Sequence, residues 1–175
     1  MNEKQLLDLG SRLGLARDRT HPGLALRGQL DGVPVFVAQF EIAMGPDPRP
    51  RPLTELRVER AGAWRGGLCG ASAGYRGDTG DRPFDDRFYW MPHPDLPQAL
   101  RPHYLGSSRL REALLALDAS IAAAAGHDGI AVFQIDHLEA GTRMMILTHL
   151  PEAALLERAL RLLVEVAGPD RPGAA

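Results

Sequence analysis

Leucines at 6, 9 and 13 recur at helical spacing, and Gly14 stands where such a run would end, so residues 3–14 are read as a short amphipathic helix. Gly10 inside it costs roughly 1 kcal/mol relative to Ala, which makes this helix dependent on the core beneath it. The pattern then changes to GLALRGQL, Asp31-Gly32 and VPVFVAQFEIA, two apolar runs around a dipeptide that tolerates positive φ, and this predicts a hairpin. The second run is apolar at Val33, Val35 and Val37 and also at Phe36, Ala38 and Phe40, so both of its faces are expected to be covered. Pro34 cannot donate to a ladder, which puts that end at a sheet edge or outside the pairing. The proline-rich GPDPRPRP reads as a loop and LTELRVERA as a third strand.

Residues 61–83 are glycine-rich and weakly periodic, which predicts a long loop or an irregular strand pair. Four aromatics follow within seven residues, Phe84, Phe88, Tyr89 and Trp90, on a strand expected to begin near Arg87. Alternation along that strand puts Phe88 and Trp90 on one side and Tyr89 on the other. Ser107 or Ser108 can cap a helix with the stripe Leu110, Ala113, Leu114 and Leu117. ASIAAAAG-HDG-IAVFQIDHLE then reads as a second hairpin turning at His127-Asp128-Gly129, followed by a strand over Thr142–Leu147. Its layout echoes the first hairpin, although two hairpins of common design look alike without shared ancestry. A last helix runs from Pro151, which suits the first helical position, to about Ala167, with Gly168-Pro169 as its stop.

These elements make an α+β fold, mainly antiparallel sheet from two Asp-Gly hairpins, in the rough order α-β-β-β-(loop/β)-α-β-β-β-α. Residues 1–168 are expected to form one domain, with 169–175 as a flexible tail. A chain of 175 residues is long enough to bury roughly two-thirds of its unfolded surface.

The formal charge of −2 provides no general attraction for nucleic acid or anionic lipid. Lys4 is the only lysine, and the surplus of Arg, Ala, Gly and Pro points to a GC-rich genome and not to an arginine recognition code. The single cysteine, Cys69, excludes an intramolecular disulfide framework and a multi-thiolate metal site. The N-terminus lacks an apolar core of signal-peptide type, and no stretch approaches the ~18 consecutive apolar residues of a membrane span. A cytoplasmic location without membrane insertion is the expectation.

Gly70-Ala71-Ser72-Ala73-Gly74 fits the G-x-S-x-G elbow of serine hydrolases, which needs a strand before the serine and a helix after it. AWRGGLC reads as a poor strand and YRGDTGDRP as no helix, so Ser72 is kept only as an alternative nucleophile. Cys69 is a second alternative, with His93 or His137 as its base, but the sequence provides no cationic neighbour or helix start to lower its pKa. The six histidines show no metal-ligand spacing, and Asp78, Asp81, Asp85 and Asp86 lack the rhythm of a calcium loop, so no metal is expected. No phosphate-binding glycine loop is present, and no cofactor is expected. Asp85 and Asp86 are read as solvated turn residues paired with Arg82 or Arg87. Tyr89, Trp90 and Phe88 remain as candidate binding residues, because large amphipathic rings serve as interface anchors when exposed.

Thr79-Gly-Asp-Arg-Pro-Phe-Asp-Asp-Arg-Phe88, then Arg111-Glu-Ala-Leu-Leu-Ala-Leu-Asp118, then Asp128-Gly129 resembles a TGDxxFDxxF, RxxLLxLD and DG pattern of uncharacterised bacterial proteins. The resemblance spans about half the chain and implies fold and origin without an activity. The order of elements is also similar to that of type III secretion chaperones, small dimers that bind unfolded segments of partners. The insert from Ala61 to Gly106 departs from that pattern.

The resulting expectation is a non-enzymatic protein-binding domain, an adaptor, chaperone-like or assembly component, with a protein partner and a homodimeric state. A small serine or cysteine hydrolase is one alternative. The other is a small-ligand carrier in which the glycine-rich segment closes over a cavity in the sheet.

Overall fold

The computed structural model describes residues 1–44, 47–60, 65–71, 75–92, 102–126 and 131–168. Eight strands pair antiparallel throughout: β1 (Leu15–Arg17), β2 (Leu24–Leu30), β3 (Val33–Met44), β4 (Asp47–Val58), β5 (Gly66–Gly70), β6 (Phe88–Pro92), β7 (Phe133–Leu138) and β8 (Gly141–Ile146). Their order across the sheet is β1-β2-β3-β4-β8-β7-β5-β6. The helices are α1 (Glu3–Leu13), α2 (Arg82–Asp85), α3 (Ser108–Ala125) and α4 (Ala153–Ala167). This is the expected α+β class with an antiparallel sheet. No helix among the described residues is long and apolar enough to cross a membrane.

The first hairpin forms where the sequence predicts it. Asp31 and Gly32 both take positive φ, 52° and 80°, as a two-residue turn matched to strand twist demands. Pro34 lies in register with Gln29, yet the β3–β4 pairing begins only at Val35 and Val58. Its carbonyl accepts from the Glu59 N–H at 2.8 Å, so its nitrogen also faces β4, one step beyond that ladder, and needs no proton. The same bond fixes the parity of β4. Odd residues direct their backbone groups toward β3, while Pro50 and Pro52 turn theirs away, where β8 has already ended at Ile146 opposite Thr54. The expected proline-rich loop is therefore partly strand, because Pro50 and Pro52 fall where no ladder partner exists among the described residues.

Along the strands, one set of alternating side chains faces the helices. Leu26, Val37, Leu56, Met144, Ile135 and Leu68 join Leu6, Leu9, Leu114, Leu117, Leu156, Leu160 and Leu163 in one buried core. Each such side chain contributes roughly 1.5–3 kcal/mol. The other set forms a small separate cluster, Ala25, Phe36 and Ala38 with Phe40 against it, and no helical residue belongs to it. Among the described residues, the sheet thus has one helix-packed face and one open face.

Three expectations are corrected. ASIAAAA is not a hairpin arm: α3 continues through it to Ala125 and ends at Gly126. Alanine is the best helix former, and Ile121 adds a fully buried turn to the stripe. The predicted turn at 127–129 lies outside the described residues, and β7 instead pairs with β8, Leu138 opposite Gly141. Pro151 precedes α4, whose N-cap is Glu152. Finally, of the two readings of 61–83, long loop or irregular strand pair, the loop is corrected over Gly66–Gly70, an interior strand flanked by β7 and β6. Its glycines are what hide it from a propensity reading and what let it fit. Gly66 sits at φ 136°, and a Cβ there would lie 2.6 Å from Trp90 Cζ2.

The acidic segment is more ordered than a solvated turn. Asp85 accepts from the Thr79 N–H (3.0 Å), the Thr79 hydroxyl (2.7 Å) and the Gly80 N–H (3.0 Å). Asp81 caps α2 and pairs with Arg111 of α3 at 2.9 Å, while Arg87 pairs with Asp118, two turns further along α3. Asp118 also accepts from the Val132 N–H at 2.8 Å. Arg111 and Asp118 thus clamp both ends of the 81–87 segment onto one face of α3.

Candidate functional site

The aromatic patch divides as alternation predicts. Phe88 is fully buried, with ring centroids 5.3 Å from Phe84 and 5.2 Å from Phe133, so it has no surface to offer. Trp90 shares that face and is half-buried, 5.8 Å from the His137 ring. Its indole Nε1 is buried without a hydrogen-bond partner. Tyr89 lies on the open face, half-buried, with the Tyr75 ring 5.3 Å away. Tyr75 is 60 % exposed and Met91 51 %, so Tyr75, Tyr89 and Met91 form an aromatic and thioether border at the β6 end of the open face. Tyr75 and Met91 escape sequence reasoning because neither belongs to a periodic run.

Cys69 is on β5 directly opposite Tyr89. Burial pushes its thiol above the ordinary cysteine value, a hydrogen bond from Tyr89 opposes that, and the Asp136 carboxylate adds to the rise. At neutral pH the group is therefore a thiol and not the attacking thiolate. Ser72 and His93 lie outside the described residues. The strand before the G-x-S-x-G pattern exists, but Tyr75–Asp81 are not helical, so the helix start that an elbow requires does not follow it.

The centre of the open face carries a different arrangement. Arg27 on β2, Phe36 on β3, Arg57 on β4 and Arg143 on β8 are successive register partners in one row. The guanidinium carbons of Arg27 and Arg57 stand 5.1 and 4.9 Å from the Phe36 ring centroid, within cation–π range on both sides. Arg27 pairs with Asp18 (3.0 Å) and with Glu59, Arg57 with Glu55 (2.6 Å), and Arg143 with Asp136 (2.7 Å). Asp18 also accepts from the Thr20 hydroxyl and N–H, and these bonds, with Arg27, hold its carboxyl down at about 2. A cavity of about 530 Å³ opens over this row.

Comparison with protein-family models, curated proteins and solved structures gives no match. Geometry alone carries the assignment.

On the helix side of the sheet, His137 is 3 % exposed between Tyr104 and Thr142. Its Nε2 lies 3.2 Å from the Tyr104 hydroxyl and its Nδ1 2.9 Å from the Thr142 hydroxyl. One ring nitrogen donates and the other accepts in the neutral form, so both hydroxyls can be satisfied without a charge. Burial first, then the positive charges of His103 and Arg65, hold His137 down at about 3. It faces away from Cys69, on the opposite side of the sheet, and cannot serve that thiol as a base. The remaining described histidines are also engaged: His21 packs on Phe36 and Phe40, the His103 ring stands edge-on to Tyr104 with centroids 6.2 Å apart, and His149 Nε2 lies 3.0 Å from the Phe40 carbonyl oxygen. Among the described residues, no group of three or more His, Cys, Asp and Glu side chains is placed to hold a metal ion.

Proposed function

We propose that this chain is a non-enzymatic protein-binding domain, an adaptor, chaperone-like or assembly component, which engages its partner through the open face of the sheet. The observation that carries the reading is the border of Tyr75, Tyr89 and Met91 on a face that no described helix covers. Tyr, Met and Arg are the residue types enriched where proteins meet, and here rings and thioether adjoin a row of half-exposed arginines. A raised Cys69 thiol argues against the cysteine-hydrolase alternative. Partner and homodimeric assembly belong to the same proposal, as does the likeness to secretion chaperones.

A photo-crosslinking residue placed at Tyr75, compared with one at Ala124 on the exposed side of α3, tests it in the native cell. A discrete adduct from position 75 that Met91→Asp abolishes, with the circular dichroism unchanged, is expected. Identical adducts from both positions would remove the basis for this face. Ester or peptide hydrolysis abolished by Ser72→Ala or Cys69→Ala would replace the reading with a hydrolase.

A further inference from the structure

At the centre of the open face two like-charged side chains stand in register on neighbouring strands. Arg57 and Arg143 are directly opposite each other on β4 and β8. Odd residues of β4 direct their backbone groups to β3, so this is a non-hydrogen-bonded pair, the type in which opposed Cα atoms approach to about 4.5 Å and side chains are closest. Like charges directly opposite in a sheet are destabilising, and local rules are broken where a site needs them broken.

The existing ion pairs do not exhaust these groups. Arg57 gives only its Nε to Glu55, Arg143 gives Nε and one terminal nitrogen to Asp136, and Arg27 gives Nε and one terminal nitrogen to Asp18 and Glu59. Both terminal nitrogens of Arg57 and one each of Arg27 and Arg143 have no partner among the described residues. All three arginines line the 530 Å³ cavity, with Glu59 as the only carboxylate in its wall among the described residues. Asp18, Glu55 and Asp136 orient the guanidiniums without lining it. The volume falls within the range of small-molecule sites, roughly 300–1,000 Å³.

We propose that this cavity binds a small oxyanionic ligand carrying at least two negative charges, a di- or tricarboxylate or a phosphate, held between the free guanidinium edges of Arg57 and Arg143 with Arg27 at its side. Planar guanidinium edges match carboxylate and phosphate oxygens two at a time. The ligand engages the guanidinium N–H groups that Glu55 and Asp136 leave open. Leu138 and Ala140 form the apolar wall of the cavity, so the ligand carries a short hydrocarbon part as well as its charges.

Amide chemical-shift titrations of the full chain with citrate, inorganic phosphate and uncharged glycerol test this. Saturable shifts centred on Gly141 and Thr142 are expected with an anion, at a Kd of about 1 mM or tighter, and none with glycerol. Whichever of citrate and phosphate saturates first assigns the carboxylate or phosphate class. Arg143→Gln should weaken binding about tenfold or more, as loss of a charge-assisted bond does, and Arg143→Lys less. Arg57→Gln is made together with Glu55→Gln, so that no buried carboxylate loses its partner, and should weaken binding similarly. Arg161→Gln, on an exposed face of α4, should leave it unchanged. Failure of both anions to saturate at tens of millimolar would overturn the proposal. So would equal binding by the Glu55→Gln, Arg57→Gln, Arg143→Gln triple variant, or shifts centred elsewhere.

Discussion

Replacing His137 by Gln should remove much of the chain's sensitivity to mild acid. The ordinary histidine value is 6.5, whereas His137 in the folded protein is held at about 3, chiefly by burial and then by the positive charges of His103 and Arg65. Between those values the unfolded chain takes up a proton that the folded chain refuses. The stabilisation is therefore complete above 6.5 and is lost as pH falls toward 3, at about 1.4 kcal/mol per pH unit. By about pH 4.5 the loss reaches roughly 2.5 kcal/mol, a large part of a typical domain stability of about 5–15 kcal/mol. Urea unfolding of wild type and His137→Gln across this range isolates the group, because the carboxylates and other histidines are common to both. Glutamine can still donate to one of Tyr104 and Thr142 and accept from the other, but it cannot titrate. The wild-type stability should fall more steeply below pH 6, by about 1 kcal/mol or more per unit. Parallel profiles, or a His137 ring signal titrating near 6, would refute the reasoning.

Asp118→Ala should destabilise the fold by about 3–5 kcal/mol in chemical denaturation, since it strands Arg87 and the Val132 N–H, whereas Arg87→Met combined with Asp118→Leu should cost less. Gly66→Ala should cost about 1–3 kcal/mol through its positive φ, and more through the displaced indole; an unchanged melting temperature and tryptophan emission would count against the packing of Trp90 across β5. The Cys69 thiol should react with a disulfide reagent at neutral pH more slowly than free cysteine. A faster rate would restore the thiolate reading.

The Asp31-Gly32 hairpin, the N-cap of α3 at Ser107 and the division of Phe88, Tyr89 and Trp90 between two faces were legible from residue type and spacing, because local backbone preference decides them. The β5 strand was not. Gly66, Gly67 and Gly70 have poor strand propensity, and the neighbours that favour glycine there, Trp90 and the Met91 carbonyl at Gly66, Asp136 at Gly67 and Ala131 at Gly70, come from distant parts of the chain. The same holds for the alanines of 122–125, where an apparent turn signal downstream outweighed helix propensity. In the candidate site, Tyr89 could be singled out from its neighbours in sequence, whereas Arg27, Arg57 and Arg143 come from three separate strands. Nothing in their local sequence distinguishes them from other surface arginines; only the register brings them into one row.

The position of the β4–β8 contact bears on how the chain reaches this state. β2 to β4 and β7 with β8 pair as neighbours in sequence, but two seams are long-range: β5 with β7, where Gly66 stands opposite His137, and β4 with β8, whose flank joins Thr54 to Thr148, 94 positions apart. Closing so large a loop costs entropy before any contact rewards it. Chain topology therefore puts the entropic cost of maturation on these two seams and not on either hairpin.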